Sequence, residues 1–148
     1  MATLISINLS RTKGVRKTPV AQAEVGPQGL TNDAHAGDWH RMVSLLAEES
    51  IAKMQAAGLD VGAGDFAENL TTRGLDLLAL PLGTRLRVGP DTVLELTQHG
   101  KECHNRCAIY YQAGDCVMPR EGVFAKVIQE GEIHTGDPIE VLGNAADE

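Results

Sequence analysis

Aromatic side chains are nearly missing from this chain, which has one tryptophan, two tyrosines and two phenylalanines in 148 residues. Its core must be built from Val, Leu, Ile and Ala, and stacking platforms for nucleic-acid bases are scarce. Positive charge is also in deficit. The formal net charge is -7 and the pI is near 5.2, so counterion release from phosphates offers little driving force and nucleic acid is not expected as a partner. No window approaches the roughly 20 apolar residues of a membrane span, and the opening MATLISINLS lacks the charged start of a signal segment. No membrane partner is expected. Cysteine is confined to positions 103, 107 and 116, whereas a secreted disulfide framework spreads an even number over a smaller chain. A reducing compartment, the cytoplasm, is the expected location.

What is present is a series of short apolar runs punctuated by glycine. TLISINLS alternates as a strand, and VAQAEVG, MVSLLA, TRLRVG, TVLELTQ, GVFAKVIQEG and DPIEVL are further strand candidates with Gly, Pro or Asp at their borders. EESIAKMQAAG reads as a helix with Ile51 and Met54 on its buried face, Gln55 beside them and Gly58 at its end. This pattern predicts a mainly β, α+β protein, a single β-barrel with a few short helices. A chain of this length buries roughly 70% of its unfolded surface, enough for one domain. The expected domain is 1–142, with 143–148 a disordered tail.

Three polar stretches stand out. The loop GLTNDAHAGDWHR carries Asp33, His35, Asp38, His40 and Arg41 just before an apolar strand. That many ionisable groups suit a ligand-facing loop, although Asn, Asp and Gly are also turn formers and His35 can simply bond the backbone. In GDFAENLTTRG, Glu68 and Asn69 lie between Phe66 and Leu70, where strand alternation turns at least one of them inward. A buried carboxylate needs a partner, and Arg73 or Arg41 is the expected one.

The third stretch, TQHGKECHNRC, holds His99, Lys101, Cys103, His104, Arg106 and Cys107. Four ligands for zinc can be counted there, but the paired C-x2-C spacing of structural zinc sites is missing. A reactive thiol asks less of the sequence: nearby cations favour the thiolate of Cys103. Cys107 opens the apolar run CAIYY, and both it and Cys116 also read as small packed hydrophobes.

Together GLTNDAHAGDWHRMVSLLAEESI, GDFAENLTTRGLDLLALPLGTRLRVG, VLELTQHGKEC and MPREGVFAKVIQEGEIHTGDPIEV resemble the MOSC domain, named for the C-terminal part of molybdenum cofactor sulfurases. The resemblance runs from Thr3 to Val141. It implies a barrel of the MOSC, pyruvate-kinase-barrel-like type, a site for the pterin-dithiolene molybdenum or tungsten cofactor, and one cysteine used in sulfur or metal chemistry. The family cysteine matches Cys103, which would also be the molybdenum ligand if the metal is ligated directly. The acidic and histidine positions match Asp33 and His35, and the ENL motif matches Glu68, Asn69 and Leu70. Glu102 stands where many relatives have proline.

The resemblance further implies that Arg41, Arg73 and Arg120 are candidates for the cofactor phosphate, with His40 in the same ligand-facing loop. Lys101, His99 and His104 would stabilise a sulfur anion on Cys103. The large sulfurases also carry a pyridoxal phosphate domain, for which 148 residues leave no room. No pyridoxal phosphate is expected, and sulfur would come from a donor protein such as a cysteine desulfurase. Three activities fit: a sulfur carrier or transferase serving a molybdoenzyme, a molybdenum oxidoreductase acting on N-hydroxylated compounds with an electron-donor partner, and a non-catalytic cofactor carrier.

Overall fold

Strand β1 (Ala2–Leu9) buries Ala2, Leu4 and Ile7 toward the interior. Between Leu4 and Ser6 its pairing slips by one residue, so Ser6 and Asn8 point to the opposite face from Ile7. The computed structural model describes residues 2–12, 16–34, 36–39, 41–58, 60–66, 68–99 and 121–144. Within them β1 is followed by β2 (Thr18–Val20), β3 (Gln22–Gly26), β4 (Gly29–Leu30), β5 (Val43–Ala47), α1 (Glu48–Ala56), β6 (Leu70–Arg73), a single 3-10 turn at Leu77–Ala79, β7 (Thr84–Val88), β8 (Thr92–His99), β9 (Val123–Gln129), β10 (Gly131–His134) and β11 (Pro138–Asn144).

The strands run in the order β11-β7-β8-β9-β5-β6-β1, and pairing of β1 with β11 closes this ribbon into a seven-stranded barrel. β2 extends β1, and β10-β3-β4 form a separate small sheet. β5 and β6 are parallel, whereas their other neighbours are antiparallel. A parallel pair needs a long crossover, and α1 with the segment after it supplies one. Glu48 and Glu49 in the first turn of α1 suit the helix dipole, and Gly58 at φ +97 ends the helical course. Ile51 and Met54 are its buried face, and the amide of Gln55 reaches across to the Val61 carbonyl at 2.8 Å.

Leu4, Ile7, Leu45, Leu70, Leu86, Leu94 and Leu96 fill the barrel. Burial of each contributes about 1.5–3 kcal/mol before conformational entropy is subtracted. The interior is aliphatic, as the shortage of aromatics required. Phe66 and Phe124 are buried but lie outside that cluster; Phe124 alternates with the interior residues Val123 and Ala125 and so lies on the outer wall. β11 continues through Asn144, into the stretch read as a tail, because a bulge between Val141 and Gly143 (φ +102) lets the strand stay paired with β7. Among the described residues no helix is long and apolar enough to cross a membrane.

Candidate functional site

Register decides which distant residues meet. His99 pairs with Val123, Val123 with Leu45, Leu45 with Leu70, and Leu70 with Ile7, a row crossing five strands. One position along, on the outer wall, Gln98 pairs with Phe124 and Phe124 with Ser44. Backbone hydrogen bonds carry this second row onward: Asn69 N donates to Ser44 O at 3.0 Å, and Asn8 N to Asn69 O at 2.7 Å. The result is a polar strip of Gln98, Ser44, Asn69 and Asn8, interrupted by Phe124.

Asn69 ties the strip together. Its Oδ1 accepts from Ser44 N at 3.0 Å and lies 3.2 Å from the Ser44 hydroxyl, while its Nδ2 donates to Asn8 O at 3.3 Å. Each end of the amide thus satisfies backbone that the ladder leaves open. Beside it Ser6 Oγ donates to Asn8 Oδ1 (2.7 Å), Asn8 Nδ2 to Thr71 Oγ1 (3.1 Å), and Thr71 Oγ1 to Glu68 Oε2 (2.8 Å). Glu68 is fully buried and its Oε1 has no hydrogen-bond partner among the described residues. Burial pushes its carboxyl up to about 7, against the opposing pull of backbone at Gly64, Glu68 and Phe66 and of the Thr71 hydroxyl.

The expected arginine partner of Glu68 is therefore corrected: a threonine hydroxyl holds the carboxyl instead. Arg73 bonds Glu48 through two guanidinium nitrogens at 2.6 and 3.1 Å. It also lies four positions along an extended strand from Asn69, roughly 13 Å at about 3.3 Å per residue, paired with Thr3. Its position removes it from the strip. Glu68 and Asn69 are both sealed at 0% exposure, and their contacts tie the strands of the wall together.

Asp33 is likewise structural in its contacts. Lys17 Nζ lies 2.8 Å from Asp33 Oδ1, each side chain 1% exposed, and the same oxygen accepts Ser10 N at 3.1 Å. This staples the loop after β4 to the connection after β1. Turn geometry shapes the loop too: Asn32 takes φ 67, and Gly29 (φ +121) presses against the Met42 carbonyl so closely that a Cβ would not fit. His99 Nε2 donates to Leu80 O at 2.7 Å, which commits that nitrogen to the backbone.

Arg41 differs from these. Its Nε donates to Gln98 Oε1 at 3.2 Å, and its guanidinium carbon lies 5.8 Å from the Trp39 ring centroid and 5.5 Å from that of Phe124. His35, His40, Lys101, Cys103 and Arg120 lie outside the described residues, as do His104, Cys107 and Cys116 with the zinc alternative built on them. The connection that carries Cys103 nevertheless leaves the wall at His99 and returns at Val123, next to Gln98, Phe124 and Arg41. Among the described residues no group of three or more His, Cys, Asp or Glu could hold a metal ion.

A separate cavity of about 320 Å³ lies between α1 and residues 74–78, lined by Glu49, Ser50, Lys53, Asp76, Leu78 and Glu121 among others. Glu121 accepts from Ser50 and Lys53, and Glu49 from the Gly74 amide. Three carboxylates against one lysine make it a poor receptor for an anionic ligand. Sequence reasoning missed Lys17, Ser44 and Gln98. It also missed Ser6 and Asn8, which polar residues at period two in a strand could have signalled, whereas a lone lysine after a loop gives no local sign of burial.

Residues 32–140 match the sequence model of a family described as the MOSC domain. Among solved structures, the YuaD protein of Bacillus subtilis is similar with a TM-score of 0.78 at 19% identity, over 95% of this chain and 94% of that one. YiiM from Geobacillus stearothermophilus gives 0.75 at 24% identity, over 96% and 75%, and YiiM from Escherichia coli 0.73 at 17%, over 98% and 71%. At these identities the likeness is one of fold. Comparison with curated protein sequences gives no match.

Proposed function

The chain belongs to the MOSC domain family, which is associated with the molybdenum cofactor, and from that premise we propose that it holds this pterin-dithiolene cofactor and carries or transfers sulfur to it through Cys103. The observation that supports this reading most is Arg41. It is a cation without a carboxylate partner among the described residues, on the wall where the Cys103-bearing connection begins and ends. An anionic ligand suits it. When bound, the cofactor supplies the metal centre that accepts sulfur.

The chain's own part is thiol chemistry. Thiolate is the reactive form of cysteine, and Lys101 and Arg106 flank Cys103 in sequence, favouring the anion. The Cys103 thiolate attacks the outer sulfur of a donor protein's persulfide; the new S–S bond forms as the donor's S–S bond breaks, and the donor leaves as a thiolate. The donor is of the cysteine desulfurase type, the recipient is a molybdoenzyme, and the exchange takes place in the cytoplasm, where thiols stay reduced.

The test is mass spectrometry for one added sulfur after incubation with a persulfide donor, with a cofactor titration on the same samples. Wild type should gain sulfur; Cys103→Ser should not, yet should bind cofactor nearly as well. Undiminished sulfur loading in Cys103→Ser sinks the carrier reading. Cofactor that binds only when Cys103 is present, with substrate reduction once an electron donor is added, points instead to the oxidoreductase.

A further inference from the structure

The turn at 62–66 is fastened on both sides. Asp65 N donates to Gly62 O at 3.1 Å, and Gly62 N to Asp65 Oδ2 at 2.9 Å. Lys17 N donates to Gly64 O at 2.8 Å. Gly64 (φ +86) lies so close to the Lys17 carbonyl that a Cβ would not fit, and a Cβ there would also crowd Asn8 Cγ at 3.3 Å. The turn also covers the Glu68 carboxyl, on which the backbone of Gly64 and Phe66 acts.

The hydrogen bonds around that carboxyl run one way. Asn8 Nδ2 donates to Thr71 Oγ1, so the Thr71 hydroxyl proton goes to Glu68 Oε2. The carboxyl proton therefore belongs on Oε1, which is buried with no partner among the described residues. A neutral O–H costs far less there than an anion left short of donors.

We propose that the 62–66 turn is a proton-controlled latch: with Glu68 protonated it stays closed on Lys17, and ionisation of Glu68 opens it and loosens, through Lys17, the loop that follows β4. The link is short. Lys17 Nζ lies 2.8 Å from Asp33 Oδ1, the same oxygen accepts Ser10 N, and Ala34 N donates to Ser10 O at 2.7 Å. Opening gives the carboxylate the water that the closed turn withholds. Burial pushes the Glu68 carboxyl up from 4.5 to about 7, so the closed form is favoured most below pH 4.5 and loses that advantage as pH rises through 7. The charged groups packed around the site are paired with one another: Lys17 with Asp33, Arg16 with Asp65, and Arg73 farther along β6 with Glu48. β1 and β5 contribute the neutral Ser6, Asn8 and Ser44. Proton concentration near neutrality thus sets how firmly the loop leading to Arg41 is held, whatever that loop binds.

Native-state hydrogen exchange reads the latch, once rates are corrected for the intrinsic effect of pH. From pH 5 to pH 8 the Lys17 and Asp65 amides should lose protection by on the order of 50-fold. Low concentrations of urea should not change that loss, as befits a local opening. The Ala34 amide should follow with a several-fold loss. Glu68→Gln should abolish both responses, whereas Asp65→Asn, which removes the turn's own carboxylate, should keep them. Protection at Lys17 and Asp65 that ignores pH, or that falls with the same urea dependence as the β8 amides, overturns the latch, the second case being a change in global stability alone. An Ala34 amide that stays protected while the turn opens overturns the link to the loop. Loss of the pH response in Asp65→Asn moves the titration off Glu68 and overturns the proposal too. If Glu68→Gln does not fold, the wild-type urea series and Asp65→Asn decide.

Discussion

Lys17 and Asp33 form an ion pair of 2.8 Å in which each side chain is 1% exposed. Removing one partner strands a charge away from water, which typically costs about 3–5 kcal/mol, whereas replacing both with apolar residues is often nearly neutral. Lys17→Met should therefore lower the unfolding free energy by about that amount, and Lys17→Met combined with Asp33→Leu should recover most of it. Urea denaturation of the two variants checks this. Equal losses would mean that Asp33 matters through Ser10 and not through the charge.

Stability should fall between mildly acidic and mildly alkaline pH because of Glu68. Its carboxyl is pushed from the ordinary 4.5 to about 7 in the folded chain. The folded state thus keeps a proton that the unfolded state has lost. The contribution is fully present below pH 4.5, declines as pH rises, and is gone above about 7, a loss on the order of 3 kcal/mol. Glu68→Gln removes the titration. Comparing unfolding free energies at pH 5 and pH 8, the drop seen in wild type should be much smaller in the variant.

Asn69→Leu should be more damaging than its volume suggests. It would leave Ser44 N and Asn8 O without their side-chain partner inside a sealed wall, and each buried polar group left unpaired costs roughly 1–3 kcal/mol. The melting temperature should fall by more than that of Thr72→Val, whose buried hydroxyl has no partner among the described residues.

Arg73→Gln should leave cofactor affinity unchanged. The side chain is exposed and paired with Glu48, well away from the Gln98–Asn8 strip. Isothermal titration of the variant beside Arg41→Gln separates the two arginines, and a comparable loss in both would return Arg73 to the site.

Cys103 should be the first thiol to react with a limiting alkylating agent near neutral pH, since cations flank it in sequence and apolar residues follow Cys107. Peptide mapping reads the order of labelling. Preferential labelling of Cys116 would move the thiol chemistry away from the KEC stretch.

Much of the barrel was legible because its signal is local. A period of two in VLELTQ says that one face is buried, whatever it packs against, and Ile51 and Met54 mark the inner side of α1 by their spacing alone. β2 and β4 were too short to show a period, and Gly143 read as the start of a tail because a glycine in a bulge looks like a glycine in a loop.

Taken alone, the sequence determined the strand-rich barrel, its aliphatic interior and the concentration of polar residues around positions 33, 68 and 103, since composition and alternation are properties of the chain itself. Tertiary structure decided the partners. Arg41 meets Gln98 across 57 positions and Asn69 meets Asn8 across 61, and both encounters depend on strand register, which no local pattern encodes. Register also sent Arg73 to Glu48 and left Glu68 with a threonine hydroxyl.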